Sequence, residues 1–183
     1  MFIRGDVRLR PLEPEDVPIL TEWVQNEKVR ENLLLRLPLS APQESKWLEG
    51  LYKDSARAIF GIEVENPTWD FVGVCGLEGI DRSDGRAMVG IFLGDVNLWG
   101  KGFGTKALRV LLEIGFNELR LNRVGLEVFT ENERAIRSYE KLGFVREGIL
   151  REKHFRAGRF VDAQVMSVLA REYKNQEHPA RVS

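Results

Sequence analysis

Near the start of the chain the spacing of apolar positions changes within a few residues. Val7–Arg8–Leu9–Arg10 alternates with period two, the mark of a half-buried strand. Leu12–Glu13–Pro14–Glu15–Asp16 then opens a helix, with proline in the first turn and acids where the helix dipole favours them. Val17, Leu20, Trp23 and Val24 recur at helical spacing and are expected in the core. Ser40–Ala41–Pro42–Gln43 has the form of a capping box, with Trp47, Leu48 and Leu51 as the apolar stripe behind it. The middle of the chain returns to strands over Ala56–Val64, Phe71–Leu77 and Ala87–Leu93, broken by Asn66–Pro67–Thr68 and Arg82–Ser83–Asp84–Gly85. The second break is short enough for an antiparallel hairpin.

A helix is expected over Gly104–Leu119, with Ala107, Leu108, Leu111 and Leu119 inward. Arg123–Phe129 reads as a strand, and Asn132–Leu142 as a short helix stopped by Gly143. A last pair of strands, Phe144–Arg151 and Arg159–Leu169, turns around Ala157–Gly158, and the polar ending NQEHPARVS is expected to fray. With no repeat or linker to divide it, the order implies one domain over residues 1–183 with a mixed α/β sheet.

The stretch NLWGKGFGTKAL interrupts this pattern. Gly100, Gly102 and Gly104 stand directly before a helix start, where backbone N–H groups and the helix dipole together favour an anion such as a pyrophosphate. No glycine–lysine pair is followed by serine or threonine, so the Walker A pattern fails. The dinucleotide pattern G-x-G-x-x-G fails too, its third glycine falling one place early. A tight loop that needs positive φ and holds no ligand is the plain alternative.

Composition narrows the classes. Net charge is −1 over 183 residues, which gives no general attraction to nucleic acid or to an anionic membrane. Cys75 is the only cysteine, so neither an intrachain disulfide nor a cysteine metal cage can form. The apolar run Met88–Leu93 is far short of the ~20 residues of a membrane span, and the N-terminus is too charged for a secretory leader; a cytoplasmic protein is expected.

Taken together, RAMVGIFLG, WGKGFGTKAL and RVGLEVFTENERAIRSYEKLGFVREG resemble the Gcn5-related N-acetyltransferases (GNAT), covering about residues 7–173. Gly102–Phe103–Gly104 matches the end of that family's acetyl-CoA signature, Q/R-x-x-G-x-G/A, with Trp99 in place of the usual glutamine or arginine. Trp-Gly-x-Gly, LTEWVQNEKVREN and FRAGRFVDAQVMSVL are similar to the RimJ/RimL branch and to the bacterial spermidine acetyltransferases. The resemblance implies a mostly antiparallel sheet, flanked by helices, with a V-shaped splay between two central parallel strands, here Ala87–Leu93 and Arg123–Phe129. It implies acetyl-CoA as donor, no metal, an amine-bearing acceptor (protein N-terminus or small molecule) and a homodimer.

By the same resemblance, backbone groups near Leu93 pair with the pantetheine. Amides of Lys101, Gly102, Phe103, Gly104 and Thr105 hold the pyrophosphate. The Lys101 side chain either adds charge or is solvated. Asn132 either binds pantetheine or caps its helix, and Ala135 is small enough for a helix lying against the cofactor. Tyr139 is two helical turns after Asn132 on the same face, placed to donate to the leaving sulfur. A phenol near pKa ~10 is not far from a thiol near ~8.5. The base is open: the strand 87–93 carries no carboxylate, which leaves Glu78 as first candidate and Glu31 and His154 as weaker ones, or water alone for an α-amine with pKa of about 7.7–8.0. The alternatives to an enzyme acting on peptide or small-molecule amines are a polyamine or amino-sugar acetyltransferase, an acyl-CoA-binding regulatory module without turnover, and an enzyme of another nucleotide.

Overall fold

The computed structural model describes residues 1–31, 33 and 39–177, with side chains to Tyr173. The chain opens with a hairpin of β1 (Phe2–Arg4), which the residue pattern does not announce, and β2 (Val7–Arg10), whose Val7 and Leu9 are fully buried. A 3-10 turn at Pro14–Asp16 leads into α1 (Val17–Gln25), and Val17, Leu20, Trp23 and Val24 are its buried face, as their spacing requires. The four-residue α2 (Glu27–Arg30) follows. The capping box of Ser40 and Gln43 starts α3 (Ala41–Leu51). The apolar stretch between α2 and α3 lies mostly outside the described residues.

Three antiparallel strands come next: β3 (Arg57–Glu65), β4 (Trp69–Asp81) and β5 (Arg86–Leu93). After the glycine loop, α4 (Phe103–Glu113) ends in a π-helical turn over Ile114–Glu118, so the helix expected over Gly104–Leu119 is regular only as far as Glu113. Then come β6 (Arg123–Phe129), α5 (Glu133–Glu140), β7 (Val145–Arg156), β8 (Arg159–Leu169) and α6 (Ala170–Glu177). The helix α6 replaces the start of the expected frayed tail. Tyr173 holds it down, buried beside Phe116 with ring centroids 5.2 Å apart and its hydroxyl donating to the Arg109 carbonyl. Residues 178–183 lie outside the described set.

Among the described residues, eight strands form one sheet in the order β1-β2-β3-β4-β5-β6-β8-β7, with β5–β6 its only parallel neighbour pair. One core lies where α4 and Ile136 of α5 cover Leu77, Val124 and Leu126; another lies where α1 and α3 cover Val74. Side chains alternate along each strand, so even positions of β5 and odd positions of β6 share the α1–α3 face. This mixed, mostly antiparallel sheet flanked by helices is the fold class expected from the sequence.

The parallel pair separates after three residues. Arg86, Ala87 and Met88 match Arg123, Val124 and Gly125, and no pairing continues to Leu93 or Phe129. Beside the closed end, the Arg123 guanidinium bonds the Glu147 carboxylate, and both reach the Ser167 hydroxyl, tying β6, β7 and β8 together. These hydrogen bonds, first from Arg123 and then from Ser167, lower the Glu147 pKa from 4.5 to about 2. The stability they contribute is therefore present above the unfolded carboxylate's pKa and lost as pH falls toward 2. The Tm difference between the protein and Glu147→Gln should shrink from pH 6 to pH 2. A constant difference would show that the carboxylate charge is irrelevant there. The group is well exposed, so the effect at neutral pH is expected to be small.

Candidate active site

The separation of β5 from β6 leaves a gap with backbone on both walls. Gly94 N–H donates to the Val72 carbonyl, which assigns even-numbered residues of β5 to bonds with β4 and turns Ile91 and Leu93 away from it. Bonds from Thr130 N–H to Asp162 and from Ala170 N–H to Asn122 do the same on β6, so Glu127 and Phe129 turn their backbone groups toward β5. An extended chain carrying amides, laid between these strands, would meet donors and acceptors on each side.

The mouth of the gap is the glycine loop. Gly100 and Gly102 have φ of 79° and 88°, which an L side chain rarely adopts, and Gly102 is the N-cap of α4. Gly104 differs: it is helical, and a Cβ there would only touch Ile91 and Leu93 at ordinary distances. Lys106 N–H bonds back to the Gly102 carbonyl, so the amides of Gly102, Phe103, Gly104 and Thr105 are the unspent donors of the first turn among the described residues. The Lys101 amide, expected among them, instead donates to the Leu98 carbonyl at 3.4 Å. Its side chain sits at the rim of an open cleft of about 940 Å³ between α1 and the loop.

Trp99, the departure from the family signature, has a structural use. Its indole N–H donates to the Leu93 carbonyl at 3.0 Å, and the Arg134 guanidinium lies 4.5 Å above its ring. The indole thus ties the loop to the end of β5 and reaches across the mouth to α5. Leu93 consequently offers a carbonyl already holding one donor.

On the other wall, Asn132 accepts from the Ala135 amide and caps α5, the local role its sequence position allowed. Ala135 and Tyr139 pack against the α4-side core, with the Tyr139 ring 5.7 Å from Phe144. Burial raises the Tyr139 pKa to about 12. The phenol therefore keeps its proton at any working pH, and its mismatch with a thiol is wider than the free values imply.

Glu78 lies on the α1–α3 face, cross-strand from Met88 at the closed end. It is exposed, 3.7 Å from Arg57, and one strand away from the gap. Glu31 ends α2, where its carbonyl accepts from Arg156. His154 lies on β7 facing β6, with its Nε2 3.8 Å from a Glu127 oxygen. Sequence reasoning missed Glu127: it sits in an ordinary-looking strand, and only the parallel register places it on the gap wall. Glu127 lies two residues past Gly125, the last matched residue of β6, and so on the wall of the gap.

Residues 6–145 match the family model for an acetyltransferase (GNAT) domain. The chain is 33% identical over 169 residues to the uncharacterized N-acetyltransferase p20 of Bacillus licheniformis, covering 90% of this chain and 93% of that one. It is 31% identical over 172 residues to the spermidine N(1)-acetyltransferase of Escherichia coli (strain K12), covering 91% and 88%. The crystal structure of spermidine N-acetyltransferase from Vibrio cholerae in complex with CoA and spermine superposes with a TM-score of 0.87 at 27% identity, over 94% of this chain and 100% of that one. The chain belongs to the GNAT acetyltransferase family, and it is an acetyl-CoA-dependent N-acetyltransferase of amines. Membership of a family of named N-acetyltransferases sets aside the regulatory-module alternative, and acetyl-CoA as donor sets aside the other nucleotides.

Proposed function

We propose that this chain acetylates a small primary alkylamine, polyamines being the first class to try, and that the reaction takes place in the gap between β5 and β6. The observation that carries this reading is the gap itself: two strands with unpaired backbone, and four free amides where they open. The residues fit acetyl-CoA. Gly102, Phe103, Gly104 and Thr105 would hold the pyrophosphate, with Lys101 adding charge only through its side chain. Ile91 and Leu93 would pair with the pantetheine, and Asn132 and Ala135 would bound it from α5. Bound acetyl-CoA supplies an electrophilic carbonyl and a thiolate leaving group. Tyr139 holds a hydrogen-bond donor toward that sulfur from the α4 side, and the acceptor approaches from the α1–α3 face. Glu78, exposed at the closed end of that face, can take a proton only through solvent.

A thermal-shift titration tests the donor site. Acetyl-CoA at 100 times its Kd should add about 2.7 kcal/mol, roughly 5–10 °C in Tm, with NAD and ATP giving none. No selective rise for folded, ligand-free protein would overturn the placement.

Spermidine and spermine against peptide N-termini and amino sugars then sort the acceptors, polyamines being favoured by the spermidine acetyltransferase relatives. No helix among the described residues is long and apolar enough to cross a membrane. Self-association is part of the same reading: the edge strand β7 exposes Val145, Ile149 and Leu150, and the hairpin tip exposes Phe155 and Phe160. A sedimentation mass of two or more chains supports it, and a monomer at all concentrations counts against it.

A further inference from the structure

On the α1–α3 side of the gap, β7 contains an irregularity that moves two side chains. Its register against β8 jumps between Leu150 and His154, and within the jump Glu152 has φ of 51°, held there by its amide donating to the Asp162 carboxylate at 2.7 Å. Bulges redirect side chains. Here adjacent residues, which in a regular strand would point to opposite faces, both reach Glu127 across the intervening β8. Lys153 Nζ lies 2.6 Å from each Glu127 oxygen, and His154 Nε2 lies 3.8 Å from one of them. That nitrogen is buried without a hydrogen-bond partner, the only such buried side-chain atom among the described residues. The His154 ring is fixed edge-on to Phe129 at 5.4 Å, the residue beside Glu127 on the same face.

A carboxylate and an unpartnered imidazole nitrogen 3.8 Å apart are two acceptors in want of a donor that bears several N–H groups. A primary ammonium meets that need. One already occupies half of the place, since the Lys153 side chain beyond its Cα is n-butylammonium.

We propose that Glu127 and His154 form the seat of the acceptor's ammonium group, which Lys153 fills in the free protein. This rests on the reading that the β5–β6 gap is the acetyl-transfer site, and it assigns the acceptor end of that site. The incoming ammonium displaces Lys153 from Glu127 and gives one proton to His154 Nε2: an N–H bond breaks, an Nε2–H bond forms, and the nitrogen lone pair is freed. The C–N bond then forms as the C–S bond breaks, and the second nitrogen proton goes to the departing thiolate as thiol. His154 returns its proton to bulk solvent once the product has left and the seat is open. The charges around it are Glu127 from β6, Lys153 and Arg156 from β7, and Asp162 from β8. Arg156 donates to the Arg30 and Glu31 carbonyls at the end of α2, and Asp162 is engaged by the Glu152 amide.

The test needs no turnover. The chain has two histidines, so the imidazole C2–H signal of His154 is assigned by its loss in His154→Gln. In Lys153→Met, titration with n-butylammonium should shift that signal saturably. The unsubstituted protein should need at least about tenfold more amine, because Lys153 competes. In Lys153→Met with Glu127→Gln the shift should vanish, while the acetyl-CoA thermal shift persists in every variant. With spermidine as acceptor, Glu127→Gln should lower kcat/KM on the order of a hundredfold, and Lys153→Met should lower KM with kcat retained. His154→Gln should lower kcat/KM for spermidine while the acetyl-CoA thermal shift is retained. An unmoved His154 signal in Lys153→Met, or one that moves equally without Glu127, would overturn the seat. Loss of acetyl-CoA binding in the unsubstituted protein would instead overturn the placement of the transfer site.

Discussion

Tyr139→Phe is expected to lower kcat on the order of a hundredfold and to leave the acetyl-CoA thermal shift intact. The substitution removes one oxygen and keeps the ring, so its packing against Phe144 and the α4-side core survives. What is lost is a donor that burial keeps protonated, with its pKa raised to about 12. The sign matters for the mechanism. A phenol at about 12 facing a thiol of about 8.5 would transfer its proton outright only against roughly 5 kcal/mol. In the proposed site Tyr139 would therefore serve as a hydrogen-bond donor to the sulfur as charge develops there, with the thiolate taking its proton from the acceptor nitrogen. It follows that deprotonation of Tyr139 does not limit the rate below about pH 11. Steady-state kinetics from pH 6 to 10 check both statements. An unchanged kcat in Tyr139→Phe would remove the hydroxyl from the reaction.

How far this site could be read from the chain varies with the kind of residue. Gly102 and the helix after it were legible because left-handed φ at an N-cap leaves a composition mark, and Tyr139 because two helical turns from Asn132 define a face. The core of α1 was legible for the same periodic reason. Three things were not. The Lys101 amide was expected among the anion donors, but a turn at Val96–Leu98 draws it to Leu98, a choice between two local bonds that no pattern records. Trp99 read only as a departure, because its partner, the Leu93 carbonyl, is a backbone group. Glu127 was invisible because its place on the gap wall, and its proposed role, depend on where a parallel pairing stops and on a bulge in β7, two strands away. Strand β5 carries no carboxylate, which left Glu78 as the first candidate for a base and Glu31 and His154 as weaker ones. The facing strand β6 carries a carboxylate, Glu127, two residues beyond its last match with β5.

The largest stability effect is expected at Gly94, the first residue after β5. A Cβ there would lie 1.9 Å from Trp23 Cδ2 and 2.2 Å from two further indole atoms. Trp23 has little freedom to withdraw. It is 7% exposed, and its ring is packed 4.8 Å from Phe71 and 6.2 Å from Phe92, centroid to centroid. Those contacts hold α1 on the sheet, and Thr21 and Glu22 ride on the same helix. A collision with a ring, unlike one with the end of a lysine, moves the element that carries it. Overpacking of well-fitted cores typically costs about 1–3 kcal/mol, and a contact this short belongs at or above the upper end. Gly94→Ala should lower Tm by roughly 6–12 °C, at about 2–4 °C per kcal/mol for a domain of this length. Function should divide along the same line. The proposed donor amides belong to α4 on the opposite face, so acetyl-CoA should still raise Tm, whereas the acceptor KM should increase if α1 walls the proposed acceptor side. A Tm within 2 °C of the parent, by calorimetry, would mean the indole swings clear and α1 is not the rigid wall of the acceptor face that its packing indicates.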